Sequence, residues 1–402
     1  MEEHFDVAVV GNGLMGASAS RYLSEMGLRV AAIGPGEPMD WKAHQGVFAS
    51  HYDEARITRM VDPDKVWSTL AARAIASYAE IEERSGITFH HRAGCLRVSP
   101  YKGQAGDSLL RAAQNGVDNG AQVEMLDADG LREHFPYLSF GPNADAIWET
   151  GDAGYINPRA LIAAQLQMAM AAGAALVREE VTRIDGADEG VRLATDKGAV
   201  YGADRVLIAA GSFANHLLPR PIALHPRVST ILLAELDAEE YARLRECPSI
   251  IWRLENHPVL YSIYSLPPVR YPDGKTYFKI GGQLQLPNHR YSRDGLIDWF
   301  HSDGNSEEVE ALSGVLHKMI PGLRAQSTQT KPCVVGFTSH DRPYIDSLDD
   351  ILGDRNRAPG RLFLASGPDA AKSSVEIGQL AAKMVAAGAW DDDLPDEWFR
   401  IC

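Results

Sequence analysis

Three glycines near the start of the chain, Gly11, Gly13 and Gly16, form G-x-G-x-x-G around Leu14 and Met15. In such a turn the first glycine permits the tight reversal and the second lets a diphosphate approach the backbone. The third lets helix and strand pack closely, with the helix N-terminus facing the phosphates. Arg56 and Arg59 stand three residues apart, on one face of a loop or helical turn. Such guanidinium forks hold carboxylates bidentately; a solvated surface pair is the alternative. Lys279 lies in Tyr277-Phe278-Lys279-Ile280, where alternation sets Tyr277 and Lys279 on the face opposite Phe278 and Ile280. The four cysteines, Cys95, Cys247, Cys333 and Cys402, contain no C-x-x-C pair, so neither a zinc site nor a disulfide framework is suggested.

The elements that must carry these residues are legible in part. Phe5 to Val10 is an apolar run fit for a buried parallel strand, and the glycines follow it at once. A small-residue helix and a second apolar run, Leu28 to Ile33, complete the strand, turn, helix, strand order of a dinucleotide-binding unit. That second strand ordinarily ends in an acid that binds the ribose. Gly34 stands there instead, so either Glu37 reaches back or backbone groups replace it. Helices are expected over 64–84, 158–173 (with Pro158 at its start), 307–319 and 374–387. A hairpin pivots on Asp196-Lys197-Gly198, and buried strands are expected at 204–211 and 362–365. Residues 222–290 alternate apolar and polar, which suits an antiparallel sheet, whereas 86–145 show little period.

The chain has 402 residues, a length that suits two large lobes, and 45% hydrophobic content supplies their cores. No apolar run approaches the length of a membrane span, and the acidic start Met1-Glu2-Glu3-His4 is not a signal peptide, so a cytoplasmic protein is expected. A net charge of −15 disfavours a nucleic-acid partner. It also means that an anionic substrate requires the few cations to be concentrated locally.

Taken together the motifs VVGNGLMG, ARITR at 55–59, GDAGYINP at 151–158, DRVLIAAG at 204–211, YFKIGG at 277–282 and KPCVVGFTSHDRPYID at 331–346, closed by LFLASG and Lys372, carry a likeness. The chain resembles, over essentially its full length, the D-amino-acid-oxidase-like flavoproteins, specifically the monomeric sarcosine oxidase and N-methyltryptophan oxidase group. The resemblance implies an α/β, two-lobed (α+β) fold. A Rossmann-type FAD lobe would comprise 1–85, 146–221 and 325–392, and an antiparallel-sheet substrate lobe 86–145 and 222–324. It implies FAD joined covalently to Cys333 through the 8α-methyl carbon, the alternative being a buried core thiol. Arg56 and Ile57 would lie near the flavin, and Val181, Ala210, Gly211 and Gly367 would contact the cofactor. Arg59 and Lys372 would pair with a substrate carboxylate, and Tyr261 would lie near the substrate. Lys279 would sit beside flavin N5 and promote the reaction with oxygen, the alternative being an exposed strand lysine.

Two departures stand out. Sarcosine oxidases have a histidine where this chain has Gln283, and their loop before the carboxylate-binding lysine is longer than Gly367-Pro368-Asp369-Ala370-Ala371-Lys372. Both argue against sarcosine itself and leave amine oxidation in place. The expectation is a monomeric oxidase of a secondary or tertiary amino acid that yields an imine and hydrogen peroxide. A cyclic imino-acid oxidase, a dehydrogenase with another electron acceptor and a non-catalytic flavin-binding subunit are the alternatives. Trp148, Trp252 and Tyr264 are candidates for a side-chain pocket or for the core.

Overall fold

The computed structural model describes residues 3–101, 104, 107–187, 189–356 and 358–402. The apolar strands Glu3–Val10 and Val30–Ile33 are shielded on both faces and pair in parallel, as their composition requires. With Val200–Ile208, Leu362–Ser366 and Ala175–Val177 they make the parallel centre of an eight-stranded sheet. Val181–Gly186, Val191–Thr195 and Tyr344–Ser347 extend it antiparallel.

The glycine turn feeds helix Leu14–Glu25, which packs against Ala370–Ala387 and Pro158–Ala171. The first contact is close because Gly378 faces Ser18, where a Cβ would overlap, and Ser18 Oγ donates to the carbonyl of Val375 at 2.9 Å.

The second sheet has nine strands. Leu224–Leu236, Thr276–Leu284, Leu260–Arg270 and Ser249–Arg253 are antiparallel neighbours, as the alternation over 222–290 predicts. Cys95–Ser99 joins Ser249–Arg253 in parallel and carries Asp145–Glu149 beyond it. Ser327–Thr338, which bears Cys333, lies along Leu224–Leu236. Asp145–Glu149 and Ser327–Thr338 therefore hydrogen-bond into this sheet, although the bounds that the resemblance implies put most of their residues in the FAD lobe. Helix Ser306–Met319 closes the far face with Leu312, Val315, Leu316 and Met319. Trp252 lies in that core and Trp148 packs against it.

The single helix expected over 64–84 is two, Lys65–Ala76 and Tyr78–Ser85. Ser77 breaks it, its hydroxyl bonding back to the Ala74 carbonyl at 2.8 Å. A three-stranded sheet of Arg56–Thr58, Gly154–Ile156 and His90–His91 holds the paired arginines in place. Gly154 permits it, since a Cβ there would overlap the His91 carbonyl.

Candidate active site

One cavity of about 1110 Å³ is walled by residues of both large sheets. At one end is the glycine turn. Gly11 has φ 110° and lies so close to Ala209 that a Cβ would overlap its carbonyl. A Cβ on Gly16 would overlap the Gly11 carbonyl. Gly13, by contrast, is not crowded: a Cβ there would make only an ordinary contact with His51 Nδ1 at 3.8 Å. Burial, reinforced by Arg159, lowers His51 to about 3, so a neutral imidazole borders the turn. Helix Leu14–Glu25 starts at Gly13 without a side-chain cap, leaving its first N–H groups for a ligand.

The residues present fit a dinucleotide. Asn12 Oδ1 and Ser212 Oγ, both on cavity-lining residues, are buried without partners. The missing acid at the end of the second strand has a steric reason. Asn12 Nδ2 donates to the Gly34 carbonyl at 3.1 Å, and a Cβ on Gly34 would come within 2.7 Å of the Asn12 nitrogen. Glu37 does not line the cavity; its carboxylate takes both Nε and Nη2 of Arg159 at 2.6 Å. Leu14, Met15, Ile57, Val181, Ala210, Gly211 and Gly367 do line it, and Gly16 supports the turn from beneath.

Farther along, Cys333 also lines the cavity, its strand fixed by a bond from Trp299 Nε1 to the Cys333 carbonyl at 3.1 Å. Arg56 and Lys279 both stand close enough to its thiol to interact electrostatically. Those two cations share one carboxylate, Asp53, which is 2% exposed. Lys279 Nζ donates to Asp53 at 2.5 Å and to the Ala55 carbonyl at 2.7 Å, and Tyr271 donates its hydroxyl to Asp53 at 2.7 Å. Burial alone would raise the Asp53 carboxyl, but Lys279 and Arg56 hold it well below the usual carboxylate range. Burial, then Arg56, pulls Lys279 down to about 8. Lys279 is 1% exposed and sits behind the wall rather than in it. Tyr264, which does line the cavity, lies between, with Lys279 Nζ 5.6 Å from its ring centroid.

A second cluster repeats this pattern. Arg59 donates to Asp62 at 2.9 Å, and Lys372, from the first turn of Ala370–Ala387, reaches the same oxygen at 2.7 Å and Asp369 at 3.2 Å. Burial opposes the charge on Asp62, yet Lys372 and Arg59 depress its carboxyl strongly. Burial likewise works against Arg59, and the nearby anionic groups led by Asp62, with Asp369 and Glu149 among them, together more than offset it, so Arg59 stays charged. Arg59 Nε has no partner. Tyr261, Gln283 and the Gly367 loop complete this end of the cavity.

The sequence reading did not single out Asp53 or Asp62, although Asp53, Arg56, Arg59 and Asp62 recur at a constant spacing of three. It also missed Arg97 and Arg253, which line the cavity. Of the three candidate pocket aromatics only Tyr264 reaches the wall. Among the described residues no group of His, Cys, Asp and Glu is placed to hold a metal ion, and no helix is long and apolar enough to cross a membrane.

Residues 6–384 match the family model described as FAD dependent oxidoreductase, DAO. The chain is 26% identical to monomeric sarcosine oxidase of Streptomyces avermitilis, over 84% of this chain and 83% of that one. It is 25% identical to monomeric sarcosine oxidase of Bacillus sp. (strain B-0618), over 98% and 95%. Among solved structures, NikD, an unusual amino acid oxidase essential for nikkomycin biosynthesis, superposes with a TM-score of 0.80 at 18% identity, covering 99% of this chain and 98% of that one. At that identity the last likeness concerns the fold.

Proposed function

This chain belongs to the family of FAD dependent oxidoreductases, and from that premise we propose that it oxidises the carbon–nitrogen bond of a secondary or tertiary amino acid, with FAD bonded to Cys333. The carrying observation is that Arg59 and Lys372, both in the wall of the cavity that also contains Cys333, converge on one carboxylate, Asp62. A pair already holding a side-chain carboxylate has the geometry to hold a substrate's. The names of the sarcosine oxidases point to the same class of chemistry.

The glycine turn, Ala210 and Gly211 would hold the nucleotide end, and Arg56 and Ile57 would border the ring. When bound, FAD supplies the acceptor for the hydride that leaves the substrate carbon next to nitrogen, and passes the two electrons to dioxygen. The protein's part is to fix the carboxylate with Arg59 and Lys372 and to admit the amine in its neutral form. Tyr261, Tyr264 and Gln283 bound the space left for the rest of the substrate. The imine hydrolyses after release, and peroxide is the second product. Cys333 would supply the sulfur of the carbon–sulfur bond to the ring methyl, an oxidative coupling in which dioxygen would take up the two electrons and the two protons lost from thiol and methyl.

One observation favours a second reading, a dehydrogenase that delivers electrons elsewhere. Lys279 stands behind the cavity wall, ion-paired with the Asp53 carboxylate that it shares with Arg56, so it is not a free cation for oxygen. A panel of amino acids and N-methyl amino acids tests both readings. Bleaching of the flavin in anaerobic solution reports amine oxidation, and peroxide release on admitting air separates oxidase from dehydrogenase. No bleaching by any member would remove both.

A further inference from the structure

The cavity holds more positive charge than one carboxylate requires. Its three lining carboxylates each face a cation already: Glu180 with Arg293 at 3.0 Å, Asp341 with Arg227 at 3.8 Å, and Asp369 with Lys372 at 3.2 Å. The clamp itself is balanced, Arg59 and Lys372 standing against Asp62 and Asp369. Arg97, Arg111 and Arg253 also line the cavity, and among the described residues none of the three pairs with a carboxylate. In a chain of net charge −15 this surplus is not a matter of composition.

Two of the three are built into the sheet. Cys95–Ser99 and Ser249–Arg253 run parallel, with Arg97 beside Ile251 and Val98 beside Trp252. Alternation sends Trp252 into the core and turns Arg97, Ile251 and Arg253 to the cavity. Arg253 is stacked on Tyr261, its guanidinium carbon 3.1 Å from the ring centroid, and its Nε is buried without a partner. Burial and the neighbouring Arg59 depress the Arg97 guanidinium below its ordinary value while Asp62 and Asp369 support it, so it stands beside the clamp, with no ion pair of its own among the described residues. Both are half-buried in the cavity wall, held in place by a sheet and without a paired carboxylate among the described residues. The cofactor's diphosphate does not account for them, because the glycine turn belongs to the other sheet.

We propose that the substrate is a dianion: an N-substituted amino acid whose side chain ends in a second carboxylate, bound by Arg97 and Arg253 while Arg59 and Lys372 hold the first. Arg111, exposed at the start of helix Leu109–Asp118, draws the second acid in at the rim. The inference rests on the amine-oxidation reading for the reaction, but not for the binding.

Two measurements on the holoenzyme keep them apart. The first compares kcat/KM for N-methyl-L-glutamate with that for N-methyl-L-glutamine, which has the same shape and one charge fewer. Wild type should favour the diacid by about thirtyfold or more, the scale of a desolvated charge pair. Arg97→Met and Arg253→Met should each bring the ratio to within about threefold of one, chiefly through KM for the diacid. The second needs no turnover: glutarate should perturb the flavin spectrum at concentrations about thirtyfold or more below those of butyrate, and both variants should erase the difference. Equal oxidation of acid and amide together with equal binding of glutarate and butyrate overturns the dianion while leaving amine oxidation intact. Preferential glutarate binding with no bleaching by any N-methyl amino acid removes the reaction and keeps the dianion site.

Discussion

Lys372 Nζ lies 2.7 Å from Asp62, on the oxygen that also accepts from Arg59 at 2.9 Å, so the two cations proposed to hold a substrate carboxylate are already joined by a carboxylate of the protein. Asp62→Asn should leave buried Arg59 without its carboxylate and buried Lys372 with only the exposed Asp369, and lower stability by about 3–5 kcal/mol. A carboxylate inhibitor should then raise Tm more in the variant than in wild type, because it restores what was removed. Arg59→Lys and Lys372→Met should each weaken that inhibitor by ~2–5 kcal/mol with FAD still bound. Thermal melts and flavin titrations read both effects; an Asp62→Asn protein as stable as wild type and indifferent to the inhibitor would dispose of the shared clamp.

Lys279 titrates near 8 because burial and then Arg56 disfavour its charge, while Asp53 supports it. If the charged form assists the transfer to oxygen, reoxidation of reduced enzyme should slow as pH rises through about 8. Asp53→Asn removes the supporting carboxylate and should move that fall to lower pH. Lys279→Met should be slow at every pH, on the order of a hundredfold below wild type, with flavin reduction much less affected. Stopped-flow reoxidation traces insensitive to pH and to both substitutions would exclude the role.

Cys333 is the group proposed to carry FAD. Acid-denatured protein should stay yellow after filtration, and Cys333→Ala should release the colour. Free FAD in the wild-type filtrate ends that proposal.

Glu308, in the first turn of Ser306–Met319, is 1% exposed; one oxygen accepts from the Thr230 N–H at 2.8 Å and the other has no partner. Burial raises its carboxyl from an ordinary 4.5 to about 7. The folded state therefore binds a proton that the unfolded state has lost between these values, and stability falls as pH rises through the window, by up to about 3 kcal/mol. Glu308→Gln should flatten that part of the stability profile and gain most above pH 7. Parallel denaturant curves for the two proteins across pH 4–8 would contradict it.

The glycine turn was legible because its chemistry is local: strand, turn and helix follow one another within a few residues of Gly11. The arginine pair was legible by spacing. Their acidic partners were not, because Asp53 and Asp62 are two of 54 acidic residues and nothing local separates a buried one from a solvated one. Lys279 meets Asp53 across 226 positions, a contact that only the sheet creates. Arg97 lies in a stretch where strand, helix and loop alternate too quickly for a period to emerge. Trp148 and Trp252 fell to the core because their strands turn them away from the cavity. The acid expected at Gly34 is missing for a reason visible only in three dimensions, the close approach of Asn12.

The glycine turn belongs to the eight-stranded sheet and Cys333 to the nine-stranded one, and a single cavity joins them. A dinucleotide stretched between those points would be a cross-brace. Its nucleotide end would be seated in one slab and its ring against the other, and every small rocking of the slabs would be resisted along the cofactor's length. The reacting centre would then sit at the seam where such rocking does most harm to alignment. The stiffness of the catalytic geometry would thus be set as much by the bridging molecule as by the polypeptide around it.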